Sequence, residues 1–272
     1  MFTERNQLTR PTAVAGQFYP GDPGQLADMV NAMLDAANAP SVRSVKALIA
    51  PHAGYIYSGP IAASVYRTLR SQAASTSRVI LLGPSHHVGF QGLATSSASY
   101  FHTPLGDVEL DRELIDRVSA LPQVQELDSA HAREHCLEVQ LPFLQKVLND
   151  FKLVPIVVGD CSPEQVAEVL EMLWGDENTL LVISSDLSHY QTYEQARAQD
   201  RATSQAILDL DPQRIQYHDA CGRNPINGLL VAARRHRLEV QQVDLRNSGD
   251  TAGSRDRVVG YGAYLFSVAE RL

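Results

Sequence analysis

The sequence predicts an α/β fold: a single three-layer domain whose central sheet is mixed but mostly parallel, with helices on both faces. Short apolar runs of strand length alternate with longer segments whose apolar residues recur at helical spacing. This alternation is typical of parallel sheets that are covered on both faces. No repeat, low-complexity tract or long linker divides the chain, so we expect one domain spanning residues 1–272.

The predicted elements follow in order along the chain. Helical spacing indicates helices at residues 22–37, 59–70, 136–148, 163–173, 193–208 and 225–236. Apolar or alternating runs indicate strands at residues 45–50, 79–82, 153–158, 180–184, 238–245 and 257–268. The first strand stops at Pro51, the second at Gly83-Pro84, and Pro142 either kinks its helix or starts the second half. We expect the last two strands to be antiparallel.

Composition and charge exclude several classes of protein. The formal charge is −8 and the basic residues are scattered, which argues against a nucleic-acid partner. No apolar run approaches the roughly 20 residues needed to span a bilayer, and residues 1–10 do not resemble a signal peptide. The three cysteines are widely spaced and odd in number, which favours a reducing compartment. We therefore expect a cytoplasmic protein without a membrane partner.

Three predicted strands run directly into loops that contain histidine. These loops carry His52, His86 and His189, the last within Ser185-Asp186-Leu187-Ser188-His189. Ligands of α/β sheets bind outside the carboxyl ends of the strands, so the three loops are expected to converge. Cys221 precedes a predicted helix, where the helix N-terminus lowers a thiol pKa and favours the thiolate that binds metals.

Each of these residues also has an ordinary structural interpretation. A single histidine after a strand is more often a hydrogen-bonded structural residue than a ligand, and a lone cysteine is more often a small buried apolar residue. Three such loops together favour a metal site, because histidine is the commonest metal ligand. The residues Asp186, Ser188 and His189 also suggest a hydrolase triad, but no nucleophile turn supports it.

The sequence resembles the Memo family, known in bacteria and archaea as protein B of the AmmeMemoRadiSam system. The resemblance spans nearly the whole chain. The matching segments are residues 14–19 (VAGQFY), 50–55 (APHAGY), 82–87 (LGPSHH), 134–138 (EHCLE) with Leu141-Pro142, 184–189 (SSDLSH) and 221–226 (CGRNPI). The two histidine motifs followed by the cysteine motif, in this order, are specific to that family.

The resemblance implies a fold similar to the catalytic subunits of class III extradiol ring-cleavage dioxygenases. His52 and His86 would take the positions of the two histidine ligands, and Cys221 would replace the carboxylate ligand. His189 would be the catalytic acid and base, with Asp186 of the same motif as its partner. Four further residues of the matching segments are candidate substrate contacts, namely Tyr55, His87, His135 and Arg223.

The replacement of a carboxylate by a thiolate affects the function that can be inferred. Two histidines and a carboxylate are usual in Fe(II) oxygenases, whereas thiolate ligands also suit copper and zinc. We therefore expect iron (Fe²⁺) or copper as the cofactor, ahead of zinc, and O₂-dependent oxidation of a small-molecule substrate. The alternatives are a binding or adaptor protein that uses the same crevice, and a zinc-dependent hydrolase. A radical-SAM enzyme of the same pathway is an expected partner.

The cysteine pattern yields a direct test. We expect Cys136, Cys161 and Cys221 to be free thiols, with only Cys221 needed for metal binding. Thiol counting on the unfolded, non-reduced protein should therefore find all three. A native bridge between any two of them would argue against a reducing compartment.

Overall fold

The computed structural model describes residues 8–42 and 44–268, in which strands and helices alternate. The strands are β1 (Thr9–Arg10), β2 (Val45–Ala50), β3 (Arg78–Pro84), β4 (Leu93–Thr95), β5 (Tyr100–Thr103), β6 (Gly106–Glu109), β7 (Val124–Glu126), β8 (Lys152–Val158), β9 (Thr179–Ser184), β10 (His189–Gln191), β11 (Leu238–Asn247) and β12 (Val258–Val268). The helices are α1 (Pro23–Ala36), α2 (Tyr55–Tyr66), α3 (Arg112–Val118), α4 (Asp128–Ala132), α5 (Leu141–Val147), α6 (Pro163–Met172), α7 (Tyr193–Leu208) and α8 (Arg223–Arg235).

Nine strands form one mixed sheet in the order β10-β12-β2-β9-β3-β8-β4-β7, with β11 paired to β12. The neighbours β2, β9, β3 and β8 are mutually parallel and form its centre. Strand β12 is antiparallel to both β2 and β11. The predicted α/β fold, with a mixed, mostly parallel sheet and helices packed on it, is therefore confirmed. Strands β1, β5 and β6 form a separate small sheet.

The central strands are buried along almost their whole length, as expected where helices cover a parallel sheet. All six residues of β2 are buried, including Lys46. The Lys46 ammonium donates to the backbone carbonyls of Trp174, Asp176 and Thr179 at 2.6, 3.0 and 3.0 Å. Burial lowers the pKa of Lys46 to about 8. These three carbonyls satisfy a charge that would otherwise be unfavourable in the core.

The helices pack in connected groups. Helices α1, α2 and α5 contact one another, whereas α6 packs on α8, and α8 lies on β3 and β9. Helix α1 begins where the sequence signals it, because Asp22 accepts the Gln25 amide at 2.9 Å and Pro23 occupies the first turn. No helix within the described ranges combines the length and hydropathy needed to cross a bilayer.

The structure differs from the sequence prediction in several places, and it adds the short strands β1 and β10, the latter beginning at His189 where a loop is predicted. Helix α2 begins at Tyr55, earlier than predicted, and keeps Pro60 in its interior. The predicted helix at 136–148 is instead a 3₁₀ turn followed by α5, and Pro142 lies in the first turn of α5. The patterns predict nothing between residues 83 and 135, where β4–β7, α3 and α4 are found. These elements are too short to show a clear hydrophobic period.

A buried carboxylate connects the N-terminal segment to the core. Glu138 is fully buried and forms an ion pair with Arg10. It also accepts the Ala13 and Val14 amides at 2.7 and 3.0 Å and the Tyr19 hydroxyl at 2.6 Å. The Glu138 carboxylate thus binds four partners, and these bonds fix residues 13–19 against the body of the protein.

Neutralising this carboxylate should be strongly destabilising. Glu138→Gln leaves the Arg10 guanidinium buried without its counter-charge, and breaking such a pair costs roughly 3–5 kcal/mol of the free energy of unfolding. Urea unfolding measures the loss. The matched control is Glu109→Gln, which removes an exposed ion pair with Lys152 at 2.7 Å and should cost less than about 1 kcal/mol. Similar losses in both variants would contradict this role for Glu138.

Candidate metal centre and its clefts

The carboxyl ends of three adjacent parallel strands lie at one edge of the sheet. Ala50 at the end of β2 pairs with Ser184 at the end of β9, and Leu82 of β3 pairs with Ile183. The loops that follow these strands carry the residues that the sequence singles out. They therefore leave the sheet side by side, although they lie far apart in the chain.

Three histidines converge at this edge. The ligand nitrogens of His52, His86 and His135 lie within 4.8 Å of one another, and this group could hold a metal ion. The ring centroids of His52 and His86 are 5.2 Å apart, and those of His86 and His135 are 4.8 Å apart with the rings nearly parallel. The structure thus places His135, expected to be a substrate contact, directly beside the two predicted ligands.

Hydrogen bonds fix the tautomer of His52. Its Nδ1 lies 2.9 Å from Ser184 Oγ, and that hydroxyl gives its own proton to the Cys136 carbonyl at 2.6 Å. Nδ1 must therefore donate, and Nε2 keeps a free lone pair. Burial lowers the pKa of His52 well below its usual value, so the ring is neutral, which is the form that binds metals.

Glu134 holds His86 in the same way. The buried carboxylate accepts the His86 ring Nδ1 at 2.8 Å and the His86 amide at 2.6 Å, and it also accepts the amides of His135 and Cys136 at 3.0 Å. Burial tends to raise the pKa of Glu134, but these bonds outweigh it and hold the pKa well below the usual range. His86 Nε2 is left free, in the carboxylate–histidine arrangement common at metal sites.

Cys221 lies next to His52. Its Sγ is 3.3 Å from His52 Nε2, and the chain reaches this position because Gly222 passes close to Ser185. A Cβ at Gly222 would lie 2.6 Å from the Ser185 Cβ. The prediction that the helix start lowers the thiol pKa of Cys221 is wrong. Burial and the charge of Asp186 raise the pKa of Cys221, and α8 begins only at Arg223.

His189 and Asp186 lie at the same edge but are not hydrogen-bonded to each other. The His189 ring Nδ1 donates to the Leu187 carbonyl at 2.8 Å, which leaves Nε2 as an acceptor. Asp186 is buried and accepts the His52 amide at 2.7 Å. Burial raises the pKa of Asp186 against the opposing effects of that bond and of His189. The Leu187 carbonyl, rather than Asp186, orients the His189 ring.

Two clefts open on this group. The histidine cleft, about 850 Å³, is lined by His52, His135 and Asp186 among others. The thiol cleft, about 1000 Å³, is lined by Cys221 and the start of α8. Three residues line both clefts: His86, His189 and Tyr190. The candidate metal centre therefore lies between two openings, one on the histidine side and one on the thiol side.

The other predicted substrate contacts are distributed differently. Tyr55 lines the histidine cleft but is buried, and its hydroxyl donates to the Val139 carbonyl at 2.6 Å. Arg223 lines the thiol cleft, with its guanidinium 5.6 Å from the Tyr217 ring centroid. His87 is exposed and is absent from the described lining of both clefts.

Three residues at the site were not singled out from the sequence. Glu134 was visible only as the neighbour of His135 in a matching segment, and Ser184 only as the last residue of a strand. Arg257, which lines the histidine cleft, follows no motif. The position of Glu134 directly before His135 is the sequence signal that points to it, because metal-binding imidazoles usually need a carboxylate partner.

Comparison with known proteins agrees with the resemblance. A family model described as "Memo-like protein" matches residues 10–265. A "MEMO1 family protein" of Nitrosopumilus maritimus (strain SCM1) is 33% identical over 276 residues, covering 95% of this chain and 100% of that protein. Another, from Aquifex aeolicus (strain VF5), is 36% identical over 268 residues, covering 94% and 98%. An uncharacterized protein from Escherichia coli K12, of solved structure, matches with a TM-score of 0.48 and 12% identity, covering 80% of this chain and 99% of that chain. On the family model and the full-length relatives, the chain belongs to the Memo-like protein family.

Proposed function

We propose that the protein binds one iron or copper ion through His52, His86 and Cys221 and uses O₂ to oxidise a small organic molecule. The observation that carries the proposal is the 3.3 Å separation of His52 Nε2 and Cys221 Sγ beside a second preoriented imidazole. Metal–nitrogen bonds of about 2.0–2.1 Å and a metal–sulfur bond of about 2.3 Å would place two such donors roughly 3.6 Å apart at tetrahedral angles.

The chemistry of the donors supports a redox metal. Imidazole and thiolate suit copper as well as zinc, and two histidines with one anionic donor resemble the arrangement in Fe(II) oxygenases. When bound, iron or copper supplies the electron transfer that a reaction with O₂ requires. His52 and His86 line the histidine cleft of about 850 Å³, and Cys221 lines the thiol cleft, so that a substrate has access to the donors. A closed structural zinc site would lack such access.

The residues around the donors have separate tasks. Ser184 and Glu134 fix the tautomers of His52 and His86, so each ring presents Nε2 to the ion. The Cys221 thiol proton must leave when a cation binds, because the thiolate is the ligand form. The bond to the Leu187 carbonyl uses His189 Nδ1, so Nε2 can accept a proton from a molecule in the cleft and return it.

Metal analysis of single variants tests the ligand assignment. We expect His52→Ala, His86→Ala and Cys221→Ala each to weaken iron or copper binding by at least about 10–100-fold, the loss that even a residue supporting a ligand produces. Cys161→Ala is the control, because this thiol lies outside the described lining of both clefts. His135→Ala should keep the metal, because the proposal leaves His135 outside the ligand set, and loss of the metal in this variant would make His135 a ligand. Unchanged metal content in the folded His52, His86 and Cys221 variants would contradict the ligand assignment. Zinc as the sole native metal would favour a hydrolase.

A second prediction separates proton transfer from metal binding. His189→Ala should retain the metal and lower oxygen-dependent turnover by about 10²–10⁴-fold, the usual contribution of a general acid–base group. Asp186→Asn should lower it less, because Asp186 acts on His189 through its charge and not through a hydrogen bond. Metal content, thermal melts and oxygen uptake on the same preparations provide the measurement. Loss of the metal in His189→Ala, as in His52→Ala, would make His189 a ligand. No oxygen uptake by the wild type under any condition would favour a binding protein.

A further inference from the structure

The rim of the histidine cleft carries apolar side chains that the fold does not bury. Ile56 and Tyr190 are 56% and 69% exposed, and Tyr57 is also exposed; all three line the cleft. Phe18 adds a further aromatic wall. Tyr190 holds a left-handed backbone with a φ of 58°, which is uncommon for a bulky residue and typical of ligand-binding segments. Clustered exposed apolar groups indicate that the ligand has an apolar body.

One cation faces the same cleft. Arg257 is the only lysine or arginine among the described residues that line it. It immediately precedes β12 and shares one face of that strand with Val259 and Tyr261, which also line the cleft. Val259 pairs with His189 across the β10–β12 ladder. Arg257 therefore lies two residues along the chain from Val259, the strand partner of His189, which is the proposed proton-transfer residue.

The Arg257 side chain has no hydrogen bond, ion pair or aromatic contact with another residue of the described chain. Other arginines near it do. Arg255 donates to the Gly249 carbonyl at 3.5 Å and lies 4.5 Å from the Tyr193 ring centroid. Arg246 forms an ion pair with Asp244. An unpaired guanidinium in a cleft offers a fork of donors that matches a carboxylate or phosphate.

We propose that the histidine cleft takes a small organic anion with an apolar body, and that Arg257 binds its anionic group. The binding of such a ligand is argued from the cleft alone. That the ligand is also the molecule oxidised rests on the proposed function. The apolar body lies against Phe18, Ile56, Tyr57 and Tyr190. A cavity of about 850 Å³ is within the range that holds a small organic ligand.

The charges of the cleft also orient the ligand. Asp186 lies beside the histidines, where its carboxylate accepts the His52 amide. An anionic group would meet that carboxylate unfavourably, whereas Arg257 offers an unpaired cation. We therefore expect the charged group of the ligand to bind at Arg257 and not next to Asp186. Arg223 is not an equivalent anchor, because it lines the thiol cleft and lies over Tyr217.

A pair of probes that differ only in charge tests the proposal. Isothermal titration of the full chain with 3-phenylpropionate and with 3-phenylpropionamide compares an acid and its neutral amide. We expect the wild type to bind the acid about 10–100-fold more tightly, the equivalent of a hydrogen-bonded charge pair. Arg257→Gln should abolish that preference and leave amide binding unchanged. Arg255→Gln, a matched control outside the histidine cleft, should keep it.

The outcomes decide between the two proposals separately. Equal binding of acid and amide by the wild type, no binding of either, or an acid preference that survives in Arg257→Gln would overturn the anion site. Thermal melts and metal content of Arg257→Gln should match the wild type, since the residue is exposed and is not a proposed ligand. An Arg257-dependent acid preference in a protein that binds no iron or copper would sustain the anion site and refute the redox function.

Discussion

The whole site depends on one constraint: β2, β9 and β3 are parallel neighbours, so their carboxyl ends must lie at the same edge of the sheet. The loops that carry His52, His86 and Asp186 are brought together by this arrangement alone. Each strand is held on both sides by other strands, and β2 and β9 are buried throughout. The loops that carry His52 and His86 are therefore anchored to the buried centre of the sheet, which favours a precise geometry.

Buried polar groups next to the two histidines also fix the orientation of their rings. Ser184 directs the His52 ring, and Glu134 directs the His86 ring while also accepting two further backbone amides. Both side chains are buried, so each hydrogen bond is formed in a low-dielectric environment where alternatives are costly. The rings are thereby ordered by the protein alone, so that an ion bound between them would cost little conformational entropy.

The sequence predicts the part of the site that local patterns encode. His52 and His86 follow apolar runs that end at Pro51 and at Gly83-Pro84, so their convergence follows from the strand pattern. Glu134 contacts His86 across 48 positions, and no local pattern records such a contact. The predicted lowering of the Cys221 thiol pKa is wrong, because burial raises that pKa and outweighs the nearby helix. Residue spacing does not reveal burial of this kind. The elements between residues 83 and 135 are too short to show a detectable hydrophobic period.

The Arg10–Glu138 pair has a consequence for how this sequence can change over evolutionary time. The two residues lie 128 positions apart, yet each compensates the other's charge in the buried interior. A single replacement at either position passes through a protein with an isolated buried charge, which is a low-fitness intermediate if stability is limiting. The two positions are therefore expected to change together, and lineages that lose the pair should replace both with apolar residues. Covariation between them would be a record of burial rather than of function.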